Sequence, residues 1–287
     1  MTIFTEFAPA KVNLTLEVLG KRADGYHEIR SLVAFARDCS DHVSLDLSRP
    51  AGSDVTGRFG ATISGKNLID LTLSKLAAAD PGLKLGHVVL TKNLPIAAGI
   101  GGGSADAAAL LRLVRNANPE RRGSVNWKVI AASLGADVPV CFENRASWMT
   151  GVGDQVQPAP ALPPLSAVLV NPLVPMPADK TANVFQALNA GPQSTVNARA
   201  LPQLFSNPAA LIDFMSSRGN ALDAAACSVA PVIADVKRAL LAAPGCNYAA
   251  VSGAGPTCFG IHDDNIAAAA AIARDHPHWW VSAVTLC

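Results

Sequence analysis

Charge is scarce in this 287-residue sequence and nearly cancels. Only 16% of residues are Asp, Glu, Lys or Arg, and 23 Lys and Arg oppose 22 Asp and Glu for a formal net charge of +1. Without a basic excess there is no stripe to track a nucleic-acid backbone and no polybasic patch for an acidic membrane surface. Apolar runs of the ~18–20 residues needed for a membrane span are missing as well; alanine-rich stretches such as Ala267–Ala271 supply much of the 50% hydrophobic content. The six cysteines (39, 141, 227, 246, 258 and 287) include no C-x-x-C pair, and none has a histidine at zinc-ligand spacing. Reduced thiols and no protein-built metal cage are therefore expected. No basic segment followed by an apolar one stands at residues 1–6, so a cytoplasmic protein without a secretory leader is expected. Disorder is excluded, because it requires low hydrophobicity with high net charge.

A chain of this length buries a large core without staples and divides naturally into two domains. Loose alternation at 14–19 and clean alternation at 43–47 predict strands, the second in an antiparallel sheet. Residues 67–79 have helical spacing, 87–91 read as a strand, a helix starts at Ser104, and 124–134 form a short helix closed by Gly135. The proline-rich stretch 157–164 continues neither helix nor central strand and marks a boundary between residues 1–157 and 158–287. Beyond it, strands are predicted at 167–170, 248–252, 258–262 and 280–284, with helices at 181–190, 209–217, 231–243 and 265–275. The fold class is α+β, in two domains.

The segment Pro95-Ile96-Ala97-Ala98-Gly99-Ile100-Gly101-Gly102-Gly103-Ser104-Ala105 sets four glycines within five residues between a strand and a helix. Glycine opens backbone conformations closed to residues with a Cβ and lets a ligand approach the main chain. The helix that follows offers unpaired N–H groups and the positive end of its dipole, a seat for phosphate. Ser104 could cap this helix or offer its hydroxyl to a phosphate or metal ion. The loop is neither a Walker A motif, which needs a lysine after the last glycine, nor a dinucleotide fingerprint. A second turn, Val251-Ser252-Gly253-Ala254-Gly255-Pro256-Thr257, is a weak signal alone and gains meaning if it closes on the first.

Together with Pro9-Ala10-Lys11-Val12-Asn13-Leu14, these loops resemble the three signature segments of the GHMP kinases. Arg22-Ala23-Asp24-Gly25-Tyr26-His27-Glu28 and Gly135-Ala136-Asp137-Val138-Pro139 narrow the likeness to the branch acting on CDP-methylerythritol (4-diphosphocytidyl-2-C-methyl-D-erythritol) in the non-mevalonate route to isopentenyl diphosphate. The Asp-Gly-Tyr-His element discriminates, and the likeness runs along nearly the whole chain. It implies transfer of the ATP γ-phosphate to the 2-hydroxyl of the methylerythritol unit. The implied fold is a first domain like domain 2 of ribosomal protein S5 and a ferredoxin-like second domain, with Mg2+ carried by the nucleotide.

On that resemblance Lys11 is the catalytic cation and Asp137 the base; from the residues alone Lys11 could be a surface lysine at a strand start, though its neighbours Pro9, Ala10 and Val12 favour burial, and Asp137 a turn former before a Pro-containing strand. Residues 95–105 cradle ATP, with Asn67 and Lys92 as neighbours of the nucleotide. Tyr26, His27 and Phe185 are expected around the cytosine with Thr181 nearby, and Asn13 orients the substrate or Lys11; Phe185 also suits the core of an amphipathic helix. The sequence departs from the family pattern at Ala105, where a second serine is common, and at Asn220-Ala221-Leu222-Asp223, which replaces Asn-Asp-Leu-Glu. Another GHMP kinase, for homoserine or mevalonate, and a non-catalytic nucleotide sensor are the competing readings; oligomeric state is left open.

Overall fold

A computed structural model describes residues 3–63, 67–177, 179–192 and 201–287. In chain order the first elements are β1 (Ile3–Asn13), β2 (Glu17–Lys21), β3 (His27–Asp46), β4 (Gly52–Thr56), α1 (Leu68–Ala79) and β5 (His87–Thr91). Then come α2 (Gly102–Ala117), α3 (Trp127–Leu134), α4 (Val138–Glu143), β6 (Ser147–Gly151), β7 (Gln155–Pro158) and β8 (Leu165–Asn171). The chain ends with α5 (Lys180–Leu188), α6 (Pro208–Arg218), α7 (Asp223–Val229), α8 (Val232–Ala242), β9 (Cys246–Val251), β10 (Cys258–His262), α9 (Asn265–Asp275) and β11 (Trp280–Leu286). Packing divides them into two units that interleave along the sequence. One holds residues 1–10, 39–96 and 101–144, the other 11–38, 97–100 and 145–287.

In the first unit β5 pairs antiparallel with the end of β3, from His42↔Thr91 to Asp46↔His87, and parallel with β4. Helix α2, packed against α1, α3 and α4, is rich in alanine and buried on nearly every side from Ala105 to Val114. Small side chains let neighbours approach its axis. Helix α1 begins with a full capping box: the Asn67 side chain accepts from the Ile69 and Asp70 amides, and Asp70 accepts from the Asn67 amide.

The second unit ends in four antiparallel strands ordered β11-β8-β10-β9, with α8 between β8 and β9 and α9 between β10 and β11. This β-α-β-β-α-β order is the expected ferredoxin-like arrangement. The first part of β3 pairs with β2 and β6, and β6 with β7.

Several expectations are corrected. The run at 14–19 is not one strand: β1 ends at Asn13 and β2 starts at Glu17. Strand β3 is twenty residues long where only 43–47 showed alternation, because residues 29–36 are buried on both faces and carry no polar phase. Asp137 precedes helix α4, not a strand; Pro139 sits in its first turn, where a missing N–H costs nothing. All six cysteines are free thiols, and among the described residues no helix is long and apolar enough to cross a membrane.

Candidate active site

The glycine turn takes positive φ at Ala97 (53°), Gly99 (79°) and Gly101 (66°). Helix α2 starts at Gly102, two residues before the predicted start, with Gly101 at the N-cap and no side chain capping it. Ser104 therefore lies inside the first turn and does not cap. The first N–H groups of α2 are left for an anion, with the helix dipole behind them. At Gly99 a Cβ would lie 2.4 Å from the Gly255 carbonyl oxygen, so only glycine fits there. The second turn thus does close on the first: the Ser252 hydroxyl donates to the Gly99 carbonyl (3.2 Å), and the Thr257 amide donates to Ala98 (3.0 Å). Asn220, in the segment that departs from the family pattern, braces that turn by donating to the Val251 and Gly253 carbonyls at 2.8 Å each.

Lys92, expected beside the nucleotide, is buried and held by two carboxylates of its own unit. Its Nζ is 2.5 Å from Asp41 and 2.7 Å from Asp106. Asp41 also accepts from the Asn93 and Leu94 amides, so the pair fixes the entry of the glycine turn. A Cβ at Gly102 would come within 3.1 Å of Lys92 Nζ, which puts the ammonium beneath the start of α2. Burial alone would lower the Lys92 ammonium, but Asp106 and Asp41 outweigh it and hold it above its ordinary value. Asp106 is pushed up to about 8, chiefly by burial, with Asp41 adding to it against the pull of Lys92. Asn67 has its side-chain oxygen engaged in the α1 cap.

Lys11 is not a surface lysine: it and Asn13 are 3% and 4% exposed at the end of β1. Lys11 Nζ donates to Asn13 Oδ1 (3.0 Å), and the Asn13 amide group donates to the Ser31 hydroxyl (2.7 Å). The Lys11 backbone N–H donates to the Ile100 carbonyl in the glycine turn, and the Asn13 N–H to the Ser252 hydroxyl. Asn13 is thereby fixed as an orienter of Lys11. In the first unit, Asp137 is half-buried at the N-cap of α4, and its side chain makes no capping bond.

Tyr26, His27, Thr181 and Phe185 all line one cavity of about 660 Å³ in the second unit, with Lys21 and Gln186 among its other walls. Tyr26 is 66% exposed, a ring held open to solvent. His27 stacks on Phe185 with centroids 4.9 Å apart and planes 24° apart. The two rings are already in contact, so they form one joined aromatic wall, not opposed plates with a base between them. Phe185 does both things the sequence allowed: it packs on the core of the ferredoxin-like half and faces the cavity. Burial, and then Lys21, lower the His27 pKa below its usual value. Sequence reading passed over Lys21, Gln186 and Ser252, which carry no motif of their own; the serine stood in a turn already noted.

Two substitutions test this geometry. Gly99→Ala is expected to cost ~1–3 kcal/mol of stability and to weaken nucleotide binding. Gly103→Ala, whose Cβ meets only Leu68 Cδ1 at 3.4 Å, is expected to be nearly silent in the same thermal unfolding assay. Asp106→Asn addresses the buried carboxyl. A group raised in the folded state stabilises below the usual carboxylate range, and that contribution is lost as pH climbs through about 8. Urea unfolding should show Asp106→Asn gaining on wild type between pH 5 and 9; a pH-independent difference would contradict the shift.

Residues 66–145 match the family described as GHMP kinases N terminal domain, and residues 200–276 match GHMP kinases C terminal. A protein of Bradyrhizobium diazoefficiens named 4-diphosphocytidyl-2-C-methyl-D-erythritol kinase is 44% identical, the match covering 100% of this chain and 99% of that protein. One of the same name from Methylobacterium radiotolerans is 44% identical, with 98% of each covered. The crystal structure of a 4-(cytidine 5'-diphospho)-2C-methyl-D-erythritol kinase superposes with a TM-score of 0.73 at 29% identity over 99% of both chains. A homoserine kinase from Cytophaga hutchinsonii shares the fold, with a TM-score of 0.63 at 17% identity over 99% of this chain and 96% of its own. Motifs, ferredoxin-like topology and full-length similarity agree: the chain belongs to the 4-diphosphocytidyl-2-C-methyl-D-erythritol kinase family of the GHMP kinases.

Proposed function

We propose that this protein transfers the γ-phosphate of ATP to the 2-hydroxyl of 4-diphosphocytidyl-2-C-methyl-D-erythritol, giving the 2-phosphate and ADP in isoprenoid precursor biosynthesis. In this reading residues 1–157 carry ATP and residues 158–287 contribute to substrate binding. The observation that carries the choice of substrate is the single cavity that gathers Tyr26, His27, Thr181 and Phe185. Homoserine and mevalonate have no flat base, and an aromatic wall would be wasted on them. Stacking on such a wall contributes ~1–3 kcal/mol per base.

Phosphoryl transfer is mainly positioning and charge stabilisation. The turn 95–105 and the uncapped start of α2 take the nucleotide phosphates, with Ser104 supplying a hydroxyl. The substrate oxygen attacks the γ-phosphorus as the bond from that phosphorus to the bridging oxygen of ADP breaks. The hydroxyl proton passes to Asp137, and Lys11, oriented by Asn13, supports the developing alkoxide. Mg2+ would accompany the nucleotide and neutralise phosphate charge. On this reading phosphates and water are its principal ligands, and no step is assigned to it.

Turnover on CDP-methylerythritol compared with homoserine and mevalonate decides the substrate. Lys11→Ala and Asp137→Ala should each lower kcat by roughly 10²–10⁴; activity within about threefold of wild type would end their assignment. A neutral His27 against the base gives a second test. Its pKa lies below the ordinary value, so the Kd for CDP-methylerythritol should stay constant from pH 8 to neutrality. It should weaken only as the ring protonates below ~6.5; a Kd unchanged down to pH 5 removes His27 from base recognition.

A further inference from the structure

Lys180 opens α5 and is 6% exposed, directly before Thr181 of the aromatic cavity. Among the described residues its Nζ has one hydrogen-bond partner, the neutral carbonyl of Gly255. The charged group that faces it is another ammonium, Lys11. Among the described residues no hydrogen-bonded carboxylate meets it: Asp223 on α7 is taken by Lys237 on α8 at 2.6 Å, and Asp179 is exposed. A cation at a helix N-terminus also stands against the dipole. Burying an ammonium without an anion is costly, and groups so placed lose charge unless a partner arrives. Burial, and then Lys11, pull Lys180 down to about 8.

The position of this ammonium is what gives it a use. The Gly255 carbonyl it holds is the one that packs against Gly99 in the glycine turn. The Ser252 hydroxyl joins that same turn to Asn13, the partner of Lys11. We infer that Lys180 is a second cation for the phosphoryl group in transfer, taking a phosphate oxygen as the anionic partner that the protein does not supply. The inference rests on the phosphotransfer reading above and adds a residue to it. An ammonium buried against a neutral carbonyl and near a second ammonium is stabilised by the arriving phosphate, most strongly when the phosphate's charge is greatest.

The test uses the full chain with MgATP and CDP-methylerythritol, comparing wild type, Lys180→Met and Lys180→Arg by steady-state kinetics from pH 6.5 to 9.5 and by thermal unfolding. Lys180→Met should keep the wild-type Tm or exceed it, and lose roughly 10²-fold in kcat, the scale of one lost transition-state donor. Its KM for CDP-methylerythritol should stay within about threefold. Wild-type kcat/KM for ATP should fall as pH rises through about 8, a limb that Lys180→Met lacks and Lys180→Arg moves to higher pH. A Lys180→Met kcat within threefold of wild type overturns the inference. So does an unstable Lys180→Met paired with a Lys180→Arg that is active but keeps the limb at 8, for Lys180 would then only hold the turn. A wild-type protein inactive on CDP-methylerythritol removes the parent reading, and this inference with it.

Discussion

Two stretches, 97–100 and 252–257, meet main chain to main chain at Gly99 and Gly255 with the Ser252 hydroxyl bridging beside them, and the functional half of the second unit is organised by that contact. Gly99 and Gly255 meet so closely that a single methyl group on Gly99 would overlap a carbonyl oxygen. Because backbone meets backbone, the hydrogen bonds that follow are few and directional. Thr257 donates to Ala98, Ser252 to Gly99, and the Asn13 amide to Ser252. The end of β1 is thereby fixed to the same junction, since the Lys11 amide donates to Ile100. An ammonium group on four rotatable carbons is a poor instrument of catalysis unless its stem is held. Here its backbone, its Nζ partner and that partner's own neighbour Ser31 are all buried.

The glycine turn does without the lysine of a Walker loop, and the first unit gives a reason. Lys92 lies under the start of α2, but Asp41 and Asp106 consume its charge. What reaches the phosphates is the helix terminus itself, with Gly101 at the cap and no side chain competing for its N–H groups. The buried triad serves rigidity: Asp41 on β3 holds Lys92 and the amides of Asn93 and Leu94, so the chain leaving β5 is pinned at residues 92–94. Removing Lys92 would leave Asp41 as a buried charge without its cation, a costly arrangement.

How much of this could be read from the sequence follows a physical rule. Local chemistry was legible: the glycines, the helical run at 67–79, the C-terminal strands of the ferredoxin-like half, and the aromatic residues that turned out to share one cavity. Burial was legible only in part. The apolar neighbours of Lys11 pointed inward, but the capping role of Asn67 carried no signal. Strand β3 lost its first half, as Ile29 to Ala36 are buried on both faces and leave no alternation to detect. Lys92 was expected beside the nucleotide, and its carboxylate partners could not be read. Asp41 and Asp106 lie 51 and 14 positions away, and no spacing rule joins them. Asp137 was placed at the edge of an element correctly, but the helix α4 after it is six residues long, too short for a periodic signal.

The near-zero net charge argues against a nucleic-acid or membrane-surface partner, yet it hides how a protein of +1 can handle two polyanions. Lys11, Lys92 and Lys180 are each no more than 6% exposed, and a buried charge acts over a short range with little screening. Such charges need not register in the overall balance to dominate locally. Of the three, Lys92 is neutralised from within, and among the described residues Lys180 has a carbonyl as its hydrogen-bond partner. A surface spread of basic residues would attract any phosphate. A cation kept short of a partner at a constrained turn instead favours the ligand that can reach it with its charge in the right place, so selectivity comes from the cost of burial and not from the sum of charges.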